Sequence, residues 1–370
     1  MAEKLKHFFG EDIVRGIAGD IRRVHPSFRE RDFIALSMTG LDGLELIARG
    51  WHIAEAMSAH LPRAFPVAAE VLIASLGPEL DGTEGFGLAP FRYLPHVLFV
   101  QKHGLDDFEP AMQAQHALTR RFSAESSIRA YLVKYPEATY ARLREWARDD
   151  SVHVRRLVSE GTRPRLPWAP RLRAFQKDPR PVIALLELLK DDPERYVQRS
   201  VANNLNDIAK DHPALAIATC RRWLADASAE RAWVVRHALR TLVKKGDRRA
   251  LKAVGVGDRP RVSVGAVRLA PSRVRIGGEL LFAFDLSSAG KRTQELLVDY
   301  AVHFVKANGA ARPKVFKLRK LSLAPGARVA LGSTISFADM TTRRHYAGRH
   351  RIDLLINGVP HMLAEFEVTR

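Results

Sequence analysis

Between Tyr196 and Lys210 the apolar residues Val197, Val201, Leu205 and Ile208 fall at i, i+4, i+8 and i+11, on one face of an α-helix that His212-Pro213 then ends. The pattern is not solitary. His153-Val-Arg-Arg-Leu-Val-Ser-Glu160 precedes it and Trp233-Val-Val-Arg-His-Ala-Leu-Arg240 follows it. Aligning Val154, Val197 and Val234 brings Arg156, Arg199 and Arg236 to one phase, 43 and 37 residues apart. Each block follows a further helical segment (Tyr140 to Ala147, Pro181 to Lys190, Ala214 to Leu224) and an acidic corner (Asp149-Asp150, Asp191-Asp192-Pro193, Asp226). A helix pair of this length cannot bury its own apolar stripe, so successive pairs must stack and share a core.

That period is the period of a HEAT-type solenoid. The first 120 residues also read as mostly helical (Arg29 to Met38, Leu41 to Leu61, Ala64 to Leu76). The texture changes at Gly255-Val-Gly-Asp-Arg-Pro260, beyond which apolar residues alternate in seven short segments: Val262 to Leu269, Ser272 to Leu286, Gln294 to Ala307, Lys314 to Leu318, Arg328 to Ala338, Arg349 to Ile356 and His361 to Val368. Turn pairs such as Asn308-Gly309, Pro325-Gly326 and Asn357-Gly358 separate them, the pattern of an immunoglobulin-like sandwich. A chain of 370 residues exceeds what one core usually supports, so two domains are expected, 1–255 helical and 256–370 all-β. The single cysteine, Cys220, excludes an internal disulfide, and the 14 histidines include no HExxH, so neither metal nor cofactor is expected. The N-terminus lacks the apolar core of a secretory signal, and the most apolar stretch, Val67 to Leu76, carries Glu70 and is too short to span a bilayer. A cytoplasmic monomer is expected.

The net charge of +18 asks for a polyanionic partner, nucleic acid first and an anionic membrane surface second. The second helix of each pair carries its polar residues on one side: Arg156, Ser159, Glu160 and Arg163, then Arg199, Asn203, Asn206, Asp207 and Lys210, then Arg236, Arg240 and Lys244. Taken singly, Arg156 and Glu160 form an ordinary i,i+4 pair on a solvated face. Repetition of arginine at one phase instead builds a basic groove, and an acidic residue inside it repels phosphate, so its presence points to a developing cation. The loop Gly161-Thr-Arg-Pro-Arg-Leu-Pro-Trp-Ala169 adds Arg165 and Trp168; the indole either stacks on a base or sugar or packs under the next repeat. Gly82-Thr-Glu-Gly-Phe-Gly87 lacks the strand and helix of a nucleotide loop and reads as a flexible turn.

Residues 153–169 and 196–213 resemble signature stretches of the HEAT-like DNA alkylation-repair glycosylases, in the AlkC branch that adds a C-terminal immunoglobulin-like domain. The strongest part runs from Phe122 to Pro213. The resemblance implies excision of N-alkylated bases such as 3-methyladenine and 3-methylcytosine from double-stranded DNA, without metal and without full base flipping. It marks Glu125, Glu160 and Asp207 as active-site carboxylates and Trp168 as lining the lesion. Ser126-Ser127 stands where bulkier residues are expected, and Glu125 is otherwise a helix-start acid favoured by the helix dipole. Asp207 is otherwise a solvent-facing helix-end residue, although Asn203 and Asn206 beside it favour the site.

An alkylated ring nitrogen makes the base a cationic leaving group already, so the enzyme has only to stabilise an oxocarbenium-like sugar and position water, both within reach of a carboxylate. Arg156, Arg163, Arg165, Arg199, Asn203, Arg236 and Arg240 are the candidate DNA contacts of the helical part. In the β-region nineteen Lys and Arg face nine Asp and Glu, ten of the eighteen net charges, and Lys314, Lys317, Arg319, Arg343 and Arg344 are assigned to gripping DNA. The rival reading is an inert HEAT protein that binds nucleic acid or scaffolds acidic partners, for which carboxylates in the groove have no use.

Overall fold

The computed structural model describes residues 5–256, 259–340 and 344–370. Its helices begin with α1 (Glu11–Val24), α2 (Glu30–Met38), α3 (Leu46–His60), α4 (Phe65–Ser75), α5 (Leu94–His103), α6 (Phe108–Thr119) and α7 (Ile128–Lys134). The repeats follow as α8 (Pro136–Trp146) with α9 (Val152–Gly161), then α10 (Arg173–Lys177), then α11 (Arg180–Leu189) with α12 (Arg195–Asp211). Next come α13 (Pro213–Leu224), α14 (Ala229–Ala238), α15 (Arg240–Lys244) and α16 (Arg248–Ala253). The chain forms two compact units, one running to Asp211 and including Ala227–Ala238, the other made of His212–Asp226 and Leu239–Arg370. The change from helix to strand, near residue 255, thus differs from the line between the compact units, because α13, α15 and α16 cluster with the strands.

In the first unit α12 packs between α9 and α14. Val197, Val201, Leu205 and Ile208 are buried, as are Val154, Leu157 and Val158 on α9 and Val234 and Val235 on α14. The acidic corners have a mechanical role. Asp149 and Asp192 accept backbone N–H groups of Ser151 and Glu194 at 2.8 and 2.9 Å, which turns the chain between the two helices of a pair. Arg155 then binds the carbonyls of Asp149 and Asp150, both at 2.9 Å, and the Asp192 carboxylate at 2.7 Å, tying one corner to the next. Arg231 repeats this on Asp191 at 2.5 Å. Asparagines do the same work between second helices: Asn204 donates to the Ser159 carbonyl at 2.7 Å and Asn206 to that of Ala238 at 2.7 Å.

The second unit holds strands β1 (Val262–Ala270), β2 (Arg273–Arg275), β3 (Glu279–Ser288), β4 (Gln294–Val305), β5 (Ala311–Leu323), β6 (Arg328–Ser336), β7 (Gly348–Ile356) and β8 (Val359–Thr369). They form sheets of order β1-β3-β6 and β2-β8-β7-β4-β5 around a core that includes Phe282, Phe284, Leu296, Val298, Ile352 and Leu354. The stretch from Ser272 to Leu286, read as one strand, is broken into β2 and β3 where Gly277 turns the backbone at φ +93°. The segment Lys314 to Leu318 is in fact part of the longer β5, whose pairing with β4 slips at Val298/Asp299. β5 is an edge strand, and its exposed Lys314, Lys317 and Arg319 discourage edge-to-edge pairing with other chains.

A two-residue turn, Asn357-Gly358, joins β7 to β8 with φ of +49° and +73°. Gly246, at φ +75°, lies against it: a Cβ on Gly246 would sit 2.8 Å from the Gly358 carbonyl oxygen, and one on Gly358 would sit 2.5 Å from the Gly246 Cα. Only glycine satisfies both conditions. Gly246→Ala and Gly358→Ala are each expected to destabilise the protein by about 1–3 kcal/mol, the usual range for forcing a side chain into such backbone. Urea unfolding checks this, and a change within error in either variant contradicts the close approach.

Candidate active site

Helices α9 and α12 lie side by side, so side chains separated by about 40 residues in sequence meet across them. Glu160 accepts hydrogen bonds from Arg163 Nη1 at 2.7 Å and Ser200 Oγ at 2.6 Å, and Arg156 Nη2 approaches to 3.6 Å. Arg163 turns its Nε to Asp207 at 2.9 Å, and Lys210 Nζ closes the other oxygen of that carboxylate at 2.7 Å. At the opposite end Arg156 Nη1 binds Glu125 at 2.7 Å, in the turn that leads into α7, and lies over the Tyr196 ring at 5.0 Å from its centroid. Charges of opposite sign therefore alternate from Glu125 through Arg156, Glu160, Arg163 and Asp207 to Lys210.

Burial alone would push the Glu160 pKa up, but Arg156, Arg163 and the Ser200 hydroxyl outweigh it and hold the carboxyl below the usual range. Burial likewise works against the charges of Arg156 and Arg163, and their carboxylate partners reverse it, raising both. The carboxylates differ in access. The Glu125 side chain is 30% exposed, against 8% for Glu160 and 2% for Asp207.

Trp168 is 73% exposed and sits at φ +63°, a left-handed conformation that costs a bulky residue about 1–2 kcal/mol. It is not packed beneath the next repeat. A cavity of about 510 Å³ opens beside it, lined by Trp51, Phe86, Phe91, Phe122, Tyr196 and Trp168, together with Glu125 and Arg156. The glycine-rich 82–87 segment, expected as a flexible turn, forms part of this wall, and the Gly82 carbonyl bonds His153 Nε2 at 2.9 Å. Behind the Trp168 loop lies Arg129, which is 3% exposed. It donates to the carbonyls of Gly161 at 2.9 Å, Arg163 at 2.8 Å and Pro170 at 2.5 Å.

The family model for DNA alkylation repair enzymes matches residues 121–242, and that for the C-terminal immunoglobulin-like domain of the uncharacterised protein YhaZ matches residues 263–370. Over 365 residues, 98% of this chain and 99% of the relative, the sequence is 33% identical to the uncharacterized protein YhaZ of Bacillus subtilis. The structure matches Pseudomonas fluorescens alkylpurine DNA glycosylase AlkC, solved bound to DNA containing an abasic site analog, with a TM-score of 0.92 and 37% identity, all of both chains being covered. The chain belongs to the DNA alkylation repair enzyme family. It is of the AlkC type, a HEAT-like helical repeat with an immunoglobulin-like appendage.

Within this family member, the repair-enzyme match spans Glu125, Glu160, Asp207 and Trp168, whereas Trp51, Phe86 and Phe91 in the facing wall lie before it. Not every residue assigned to DNA from sequence faces open solvent. Arg156 and Arg163 are occupied by the carboxylates, Arg165 is paired with Asp211 at 2.5 Å, and Asn203 is half-buried with its Oδ1 3.3 Å from His237 Nε2. Arg199 and Arg236 are exposed. Arg240 does not share their helix: α14 ends at Ala238 and Arg240 opens α15, so the phase drawn through Trp233 to Arg240 breaks there. Lys314, Lys317, Arg319 and Arg344 are exposed in the second unit, and Arg343 lies outside the described residues. Asp207, with its side chain enclosed between Arg163 and Lys210, is not a solvent-facing helix end. Sequence reading missed Ser200, the cavity wall and Arg129, although an arginine inside Ile128-Arg-Ala-Tyr-Leu-Val133 was a visible anomaly. Among the described residues no cluster of His, Cys, Asp or Glu could hold a metal ion, and no helix is long and apolar enough to cross a membrane.

Because the folded Glu160 pKa is depressed, its contribution to stability is present above the ordinary carboxylate pKa and is lost as pH falls through the lowered one. Glu160→Gln is thus expected to melt well below the parent protein at neutral pH, with the gap narrowing only on the acid side of the usual carboxylate range. Thermal melts across pH test this; a gap that is constant with pH shows that Glu160 is not held ionised.

Proposed function

We propose that this protein is a DNA glycosylase that hydrolyses the N-glycosidic bond of N-alkylated, cationic bases such as 3-methyladenine and 3-methylcytosine in double-stranded DNA. The observation that carries this reading is a row of carboxylates locked among arginines beside an exposed tryptophan, in a chain that matches an alkylpurine DNA glycosylase from end to end. An inert phosphate binder gains nothing from buried acids in that position.

The alkylated base leaves without protonation, so the rate depends on stabilising the sugar cation and aiming water. Glu125, the accessible carboxylate, faces the cationic lesion together with Trp168, from outside the stack and without drawing the base fully out of it. Glu160 and Asp207 face the sugar and water. They share Arg163, so a DNA phosphate that draws this guanidinium away uncovers both at once. Arg199 and Arg236 bind phosphate. Residues 1–255 act as the catalytic repeat domain and 256–370 as the DNA-gripping appendage, in a cytoplasmic monomer that needs no cofactor.

Purified protein is expected to release free 3-methyladenine or 3-methylcytosine from methylated duplex DNA, with or without chelator. DNA binding with no released base at any salt concentration would leave the inert-binder reading. Glu160→Gln and Asp207→Asn are expected to lower the single-turnover rate by on the order of a hundredfold, while DNA affinity holds or rises because negative charge has left the groove. Near-parental rates in both variants remove these carboxylates from the chemistry.

The appendage makes a separate prediction. Neutralising Lys314, Lys317 and Arg319 together is expected to flatten the plot of log affinity against log salt by about 0.9 for each phosphate that is no longer neutralised. Parallel plots for parent and variant assign these charges to edge protection alone.

A further inference from the structure

We propose that Arg129 is a positioning residue: its buried guanidinium clamps the 162–170 loop and so sets where Trp168 stands relative to the carboxylates. This rests on the reading of Trp168 as part of the site. The geometry is specific. Arg129 reaches the carbonyl of Gly161, the last residue of the helix that bears Glu160, at 2.9 Å. It reaches the carbonyl of Arg163, the residue shared by Glu160 and Asp207, at 2.8 Å. From Nη2 and Nε it reaches the Pro170 carbonyl at 2.5 and 3.2 Å, two residues beyond Trp168. Its own backbone lies four residues after Glu125, so one planar group references the segments that carry Glu125 and Glu160 and the tryptophan loop to each other.

This guanidinium donates its hydrogen bonds to backbone carbonyls rather than to a carboxylate. Keeping a cation in such a place is costly, and burial accordingly lowers its pKa to about 10. A methionine would fill the same space without that cost. What the guanidinium provides in exchange is a fork of fixed geometry that a single ammonium cannot reproduce. The loop needs such a fork, because Trp168, at φ +63°, is 73% exposed and so is held by little packing of its own. Arg163 and Trp168 lie between the clamped carbonyls, so slack in the loop displaces both.

The clamp is tested on the full-length protein with Arg129→Lys, which keeps the charge and loses the fork, and with Arg129→Met. Trypsin cleavage after the exposed Arg171, at a temperature well below the melt, is expected to accelerate by about tenfold or more in either variant while sites outside residues 162–173 keep their rates, as for a local opening. Unchanged cleavage at Arg171 overturns the clamp whatever the activity. The consequence for catalysis is read from single-turnover excision by Arg129→Lys, Trp168→Ala and the double variant. The expected result is a fall in kcat with KM within about twofold, and a double variant no slower than Trp168→Ala alone, because the losses share one route. Multiplicative losses show that Arg129 acts only through general stability and overturn the proposal. Should both Arg129 variants fail to fold, Pro167→Gly loosens the same loop from its exposed side and is expected to give the same cleavage and the same non-additivity with Trp168→Ala. If no protein, parental or variant, excises a base, the glycosylase reading fails while the cleavage experiment still decides the clamp.

Discussion

The pairing of Arg163 with both Glu160 and Asp207 is the interaction on which the helical unit and its site both depend. The Asp207 side chain is only 2% exposed, and Arg163 and Lys210 enclose its carboxylate at 2.9 and 2.7 Å. Removing one partner of a buried ion pair generally costs about 3–5 kcal/mol, whereas the intact pair adds little over an apolar substitute. The charges are therefore a poor choice for stability alone, which supports the proposed use of them in chemistry. They also fix the repeat. Arg163 leaves the end of α9 and Asp207 lies near the end of α12, so the helices cannot slide along one another without separating the charges.

The same constraint explains how negative groups persist in a protein with a net charge of +18. A long-range positive field favours DNA, and Arg156 and Arg163 keep Glu160 ionised against burial. The result is a fixed set of charges, and in the proposed glycosylase reaction it is prepared before substrate arrives, which is what makes electrostatic stabilisation of a transition state effective. Access is graded along the row, from a partly open Glu125 to an enclosed Asp207, so the acids are not interchangeable even though their residue types are.

In the second unit, the sandwich obeys alternation and turn chemistry, and its edge strand is basic. Lysine on the edge strand β5 blocks pairing with other chains, and a row of exposed cations also suits a phosphate backbone. Glycine decides the fit elsewhere in this unit, where Gly246 and Gly358 meet at a distance no side chain permits.

Periodicity along the chain determined the helix pairs, the acidic corners between them and the alternating strands, because each of these depends on residues within one or two turns of each other. Resemblance carried by residues 153–169 and 196–213 marked Glu125, Glu160, Asp207 and Trp168. Tertiary structure decided the rest. The pairing of Arg156 with Glu160 is visible in sequence, but nothing local reveals Glu125 and Asp207, the distant acids that also occupy Arg156 and Arg163. The break at Leu239, which removes Arg240 from the helix of Arg236, falls within a pattern that stays apolar on both sides. Trp168 could have been core or surface, and only the fold of a loop tied at both ends by Arg129 placed it outward. Local spacing specifies which face of a helix is apolar; which charge finds which partner is settled only when two distant segments are brought within about 3 Å, where pairing outweighs the cost of burial.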